Sequence, residues 1–213
     1  MIDVRSFTVG PLAENAYLVR AEGSDQAVMI DPGDEAPRLI AGVRESGAEL
    51  AAILITHTHI DHVGAVAPLS RETGAPVYCP EAEAFVLADI ASWTPFGFPP
   101  ADPYDADVTV SGGERLELAG LEIDVIFTPG HSPGHVSFSV PAEQALFSGD
   151  VLFQQSIGRT DLPGGDAPTL MRSIGHLLDT LPDETRVHPG HMSATTLGRE
   201  RTQNPFLAQF ASR

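Results

Sequence analysis

The chain has 213 residues, 42% of them apolar and 19% charged, the composition of a folded protein with a sizeable core rather than of a disordered one. Its 29 acidic residues outnumber 12 basic ones, all arginine, giving a formal charge of -17, and a surface of that sign repels phosphate backbones and anionic lipid heads. Nucleic-acid and membrane partners are thereby excluded, while the reaction and the oligomeric state stay open.

The opening stretches "VRSFTV", "NAYLVRA" and "QAVMID" are rich in β-formers between glycine-bearing turns and predict an antiparallel meander. A helix follows over 35–46, with Leu39, Ile40 and Val43 at helical spacing and Gly47 as its stop. "AAILIT" is a short continuous apolar run and reads as a strand buried on both faces. Next come a helix from Val63 to Thr73, a strand at "APVYC" and a helix through "EAEAFVLA". The lone cysteine, Cys79, has no internal partner for a disulfide and reads as an inert core residue. Residues 92–105, "SWTPFGFPPADPYD", read either as a lid or as an ordinary packed loop, because their apolar side chains need somewhere to pack. "VTV", "ERLEL", "LEIDVIFT", "HVSFSV" and "QALFSG" then form a second run of strands, followed by a helix over 167–180, a strand at "TRVHPG" and a terminal helix from 195. The N-terminus lacks a basic start followed by a long apolar stretch, and no run is long enough to span a bilayer, so a cytoplasmic location is expected. Two packed sheets, each covered outside by helices, form the simplest α/β architecture for this order.

Four polar stretches directly follow apolar strands: "THTHIDH", "TPGHSPGH", "SGD" and "HPGH". Seven of the eight histidines fall in three of them, and His176 alone sits in a helix. Side chains at the carboxyl ends of strands in open α/β sheets converge on one crevice. Imidazole and carboxylate groups gathered there are ligands for zinc, iron or manganese. His57 and His59 could point the same way from an extended loop, and Asp61 and His62 could serve a second ion beside the first.

"THTHIDH", with the later "TPGHSPGH", "FSGD" and "HPGH" in that order, resembles the signature of the metallo-β-lactamase fold superfamily from about Asn15 to Pro205. The resemblance implies a four-layer αβ/βα sandwich of two mixed sheets with helices outside. It also implies two divalent metal ions, zinc first with iron or manganese as alternatives. By position, His57, His59 and His131 would hold one ion and Asp61, His62 and His191 the other. Asp150 would bridge them. Asp61 and Asp150 would be catalytic in orienting a hydroxide between the ions, and Asp31 would order the metal-binding loop from behind. His135 and His188 match no ligand position and are expected to be structural or to support the ligands.

A hydroxide held between two metals is a strong nucleophile at neutral pH, so hydrolysis of an acyl bond is the natural output. No G-x-S-x-G elbow suggests a serine enzyme instead. Within the superfamily, "TPGHSPGHVSF", "GDVLFQQSIGRTDLPGGD" and "PGHMSATTLGRERTQNPF" are most similar to short bacterial glyoxalase II-like proteins. That resemblance implies a thioesterase acting on a small-molecule thioester or thiol carrier, S-lactoylglutathione or a related hydroxyacyl thioester. One domain over 1–213 is expected, without the C-terminal helical glutathione-binding extension of the longer members. Arg159 matches a basic substrate-contacting position, although in "GRTD" it could equally bond Asp161. The alternative is a mononuclear iron persulfide dioxygenase using His57, His131 and Asp150, whose relatives generally lack the second histidine of "GHSPGH". A lactonase or β-lactamase and a non-enzymatic metal-stabilised binding module rank lower.

Overall fold

In the computed structural model, which describes residues 1–98 and 100–210, strands β1 (Ile2–Val9), β2 (Glu14–Ala21) and β3 (Gln26–Ile30) form the expected antiparallel meander. Helix α1 (Ala36–Ser46) follows and stops at Gly47, whose φ of 69° lies in the left-handed region that a side chain resists. β4 (Glu49–Leu54) runs parallel to β3 and is fully buried in its second half. The helix expected from Val63 to Thr73 is two helices, α2 (Ile60–Val63) and α3 (Val66–Thr73). Between them the Ala65 N–H donates to the Pro32 carbonyl at 2.9 Å instead of up its own helix, which ties this corner to the end of β3.

β5 (Val77–Pro80) leads into two short helices, α4 (Ala84–Ala88) and α5 (Ile90–Trp93). β6 (Val108–Val110), the "VTV" strand, then pairs in parallel with β5 and closes the first sheet in the order β1-β2-β3-β4-β5-β6. Its placement corrects the expectation that "VTV" heads the second run: a three-residue strand takes its sheet from a distant partner, here Tyr78 to Pro80. β7 (Arg115–Leu118), β8 (Leu121–Phe127), β9 (Val136–Val140) and β10 (Ala145–Gly149) pair antiparallel in the second sheet. A small hairpin, β11 (Leu152–Phe153) with β12 (Ser156–Ile157), precedes α6 (Ala167–Thr180), which Asp166 caps by accepting the Thr169 N–H at 2.8 Å. β13 (Arg186–Pro189) adds in parallel to β10, and β14 (Thr195–Thr196) adds to β13. The terminal helix expected from 195 is α7 (Leu197–Gln203), which starts two residues later because Thr195 and Thr196 are paired to β13.

The alternation of strand side chains sorts the core into three layers. On β2 and β3, Ala16, Leu18, Ala27 and Met29 face Leu39 and Val43 of α1 and Val66 and Leu69 of α3. Their neighbours Tyr17, Val19, Val28 and Ile30 face Ile123, Val125, Phe138 and Phe147 of the second sheet. On the far side of that sheet, Leu146 and Val187 meet Leu170, Ile174, Leu177 and Leu178 of α6, which recur at helical spacing. The result is the four-layer sandwich, helices on sheet on sheet on helices. Each fully buried Phe or Leu in these layers contributes about 1.5–3 kcal/mol through removal of apolar area from water. Among the described residues, no helix is long and apolar enough to cross a membrane.

Candidate metal centre

The four histidine- and aspartate-bearing stretches leave the ends of β4, β8, β10 and β13, so the two sheets deliver them to one edge of the sandwich. Asp31, just past β3, sits behind them. Its carboxylate accepts the Thr56 N–H and hydroxyl, both at 2.7 Å, and lies 3.0 Å from His62 Nδ1. Because the Thr56 hydroxyl donates to Asp31, it accepts from His57 Nδ1 at 3.0 Å. Asp31 therefore places the proton of His57 through Thr56, and that of His62 directly, on the ring nitrogens facing away from the edge.

His131 Nδ1 donates to the Arg159 carbonyl at 2.8 Å, which leaves its Nε2 lone pair facing His59 Nδ1 at 2.9 Å. His57 Nε2 lies 3.1 Å from the same His59 nitrogen. His57, His59 and His131 thus present three nitrogens to one point. Beside them, His191 Nε2 stands 3.3 Å and His62 Nε2 3.9 Å from Asp61 Oδ2. Asp150 lies between the two groups: its Oδ1 is 3.3 Å from His62, and its Oδ2 is 3.5 Å from both His131 and His191. All seven residues singled out as ligands are brought together, in the two triads expected of them, each with its candidate ligand atoms within 4.8 Å of one another.

Two atoms in this cluster, His62 Nε2 and Asp150 Oδ1, are buried without a hydrogen-bond partner, and unpaired buried polar atoms are costly. The lone pairs of His57 Nε2 and His131 Nε2 both face His59 Nδ1 at about 3 Å, and a single ring proton there can serve only one of them, whereas a cation between the three serves all. Donors of this kind in two adjacent triads fit a pair of divalent ions with neutral histidine and ionised aspartate ligands. The protonation preferences agree in large part. Burial, then His62 and His59, holds His57 well below its ordinary value, and burial with His131 pushes His59 down to about 4. Burial alone would also disfavour charge on Asp150, but His62 beside it overcomes this and holds the carboxyl well below the usual carboxylate range. His62 is the counterpart: burial opposes its charge, and Asp150 and Asp61 outweigh that.

Several residues that frame the centre carry no local signal in the sequence. Glu83 is buried and accepts from the Thr58 N–H and hydroxyl at 2.8 and 2.9 Å, from the Gly134 N–H at 2.8 Å and from the Ser132 hydroxyl, so it ties the loop after β4 to the loop after β8. Asn15 donates to the carbonyls of Pro189 and Met192, and the Tyr17 hydroxyl donates to Pro189 at 2.8 Å, which pins the His191 loop to β2. Gly190 is required by close approach: a Cβ there would lie 2.4 Å from Asp150 Oδ1. Of the two non-ligand histidines, His135 supports Asp150 through its backbone N–H at 3.1 Å, and His188 stacks on Phe147 at 4.9 Å, away from the ligands. His176 is exposed on α6.

A groove of about 1060 Å³ opens over the cluster, floored by His59, Asp61, His131, Asp150 and His191. From the 92–105 stretch, Trp93, Pro95 and Phe98 stand in its wall, while Phe96 is fully exposed and Tyr104 is bonded to Ser70 and Asp107; Pro99 lies outside the described residues. Arg159 lines the groove, and of its two readings the structure realises the pairing with Asp161, through two hydrogen bonds of 2.7 Å.

The sequence profile of the metallo-beta-lactamase superfamily matches residues 9–191. The hydroxyacylglutathione hydrolase GloC of Haemophilus influenzae is 37% identical over 209 residues, covering 97% of this chain and 98% of that protein. The crystal structure of the BLEG-1 B3 metallo-beta-lactamase is similar with a TM-score of 0.91 at 41% identity, covering 98% of this chain and all of that one. The protein TTHA1623, crystallised in a di-iron-bound form, is similar with a TM-score of 0.79 at 45% identity, covering 96% of this chain and all of that one.

Proposed function

The chain belongs to the metallo-beta-lactamase superfamily, and on that footing we propose that it is a metal-dependent hydrolase of thioesters, with S-lactoylglutathione or a related hydroxyacyl thioester as the substrate class. The observation that carries this reading is the pair of ligand triads with Asp150 between them and His62 Nε2 and Asp150 Oδ1 left without partners. His57, His59 and His131 would hold one divalent ion, Asp61, His62 and His191 the other, and Asp150 would touch both. Zinc, iron and manganese all suit this donor set, and the likeness to a di-iron protein supports iron as readily as zinc. When bound, such ions lower the pKa of water to about 7 in favourable sites and polarise an acyl carbonyl.

The chain's own residues supply the rest. Asp31, Thr56 and the Arg159 carbonyl fix which nitrogen of His57, His62 and His131 is free, so these three rings need not change tautomer on loading. Glu83 and His135 hold the loops in register, and the groove gives an acyl substrate a walled path to the ligands. A dioxygenase-type single site would use His57, His131 and Asp150 of the same cluster, and what favours the hydrolase is His135, the second histidine of "GHSPGH", which such dioxygenases generally lack.

The likeness to a B3 metallo-beta-lactamase carries a second reading, opening of a β-lactam amide by the same acyl chemistry. Both are tested by following thioester absorbance with S-lactoylglutathione and, in parallel, a chromogenic cephalosporin. A kcat/KM of about 10⁴ M⁻¹s⁻¹ or more on the thioester, the lower end of the usual enzyme range, with slower turnover of the cephalosporin, is the expected result. The reverse order would select the second reading.

A further inference from the structure

Large apolar side chains that stay in solvent are concentrated on the groove. Leu12, Phe85, Trp93 and Met192 are 48, 60, 51 and 56% exposed, and all four line it. They arrive from four separate places: the β1–β2 turn, α4, α5 and the loop just after His191. The Phe85 and Trp93 rings meet edge to face, 5.6 Å apart at 75°, and form one continuous apolar wall. Exposed apolar surface gathered beside a polar centre marks a place where an apolar ligand is covered.

The charges around the groove point the same way. Among the described residues lining it, Arg159 is the one cationic side chain, and Asp161 already occupies its guanidinium through both Nε and a terminal nitrogen. Asp61 and Asp150 would be offset by the ions they hold, and Glu83 is buried and fully hydrogen-bonded, so none of the three adds a cation-binding or cationic contact for a substrate arm. Away from the ligand cluster, a substrate arm bearing carboxylates would find no unpaired cationic side chain among the described lining residues.

Resting on the hydrolase reading above, we propose that, within the thioesters of that reading, the groove prefers an uncharged, apolar thiol arm, an alkyl-type chain lying along Phe85 and Trp93, over the anionic arm of glutathione. The reacting carbonyl would stand over the ligand cluster, and the arm would extend along the apolar wall.

Trp93 is the only tryptophan of the chain, so its fluorescence reports binding in the groove independently of turnover. The probes are the S-acetonyl derivatives of hexanethiol and of glutathione, which keep a carbonyl near the sulfur but cannot be hydrolysed, titrated into the metal-loaded protein. The hexanethiol derivative should bind at least about tenfold more tightly; Phe85→Ala should weaken it about fivefold and leave the glutathione derivative within about twofold. Phe85→Leu, which keeps an apolar side chain, should retain most of the preference. Equal or tighter binding of the glutathione derivative, or equal weakening of both by Phe85→Ala, would overturn the assignment of the arm. Turnover of the two parent thioesters separates this from the hydrolase reading. Preferential binding without hydrolysis of either rejects the hydrolase and keeps the apolar arm; hydrolysis without preference does the opposite.

Discussion

His135 Nε2 accepts the backbone N–H of Asp150 at 3.1 Å while its Nδ1 lies 3.0 Å from the Thr128 hydroxyl. A ring that belongs to neither ligand triad thus links the chain beyond β8 to the loop after β10 and helps to hold the backbone of Asp150 in place. Replacing it by Phe keeps the aromatic volume and removes the acceptor. His135→Phe is expected to remain folded by circular dichroism and to lose about 10–100-fold in metal affinity, measured by competition with a chromogenic chelator. Unchanged affinity would reduce His135 to a packing residue.

Glu83 performs the corresponding task between the loops after β4 and β8. Gln at this position turns an amide N–H₂ toward donors that a carboxylate oxygen accepted, so at least one buried donor loses its partner. Glu83→Gln should lower the unfolding free energy by about 2 kcal/mol in urea. It should also loosen the triad of His57, His59 and His131, because Thr58 and Ser132 are their chain neighbours. A variant as stable as the parent would show that Thr58 and Ser132 hold their places without it.

The acid limb of stability has an identifiable contributor in His188. Burial, and secondarily Arg186, pushes this ring down to about 4 from an ordinary 6.5. The unfolded chain therefore takes the proton first as pH falls, so the group's contribution is complete above about 6.5 and is lost progressively toward 4. Between pH 7 and pH 5 this amounts to about 2 kcal/mol. His188→Phe, which keeps the stacking surface against Phe147, should shrink the pH 7 to pH 5 difference in unfolding free energy by that amount. An undiminished difference would move the acid sensitivity to other histidines.

Arg159 offers a sharper distinction between substrate contact and local pairing. With its guanidinium occupied by Asp161, Arg159→Ala is expected to leave kcat/KM within about twofold for an uncharged and an anionic thioester alike. A selective rise in KM for an anionic thioester would instead restore Arg159 as a substrate contact.

Most of the architecture could be read where the signal is local. The α6 helix runs over 167–180 as its periodicity predicts, α1 ends at Gly47, and the meander of β1 to β3 follows from alternating β-formers between turns. Where the deciding partner is distant, the local pattern misleads. "VTV" belongs to the first sheet because of Tyr78 to Pro80, the helix after His62 breaks because Pro32 takes the Ala65 N–H, and α7 is shortened because β13 claims Thr195 and Thr196. The two-residue strands β11 and β12 are too short for any period to register. The same division runs through the site. Histidines and aspartates at strand ends announce themselves by residue type and spacing, whereas Glu83, Asn15 and Tyr17 look like an ordinary surface acid and two members of a strand sequence. Their function appears only once the fold brings Thr58, Ser132 and Pro189 to them.

The most direct measurement is stepwise reloading of stripped protein with zinc, iron or manganese, from zero to two equivalents, with metal content by elemental analysis and thioester turnover read on the same samples. The expected result is activity that rises chiefly with the second equivalent, with Asp150→Ala neither retaining two ions nor turning over thioester. Full activity at one equivalent, or a protein holding two ions that hydrolyses no thioester, would contradict the two-metal thioester hydrolase.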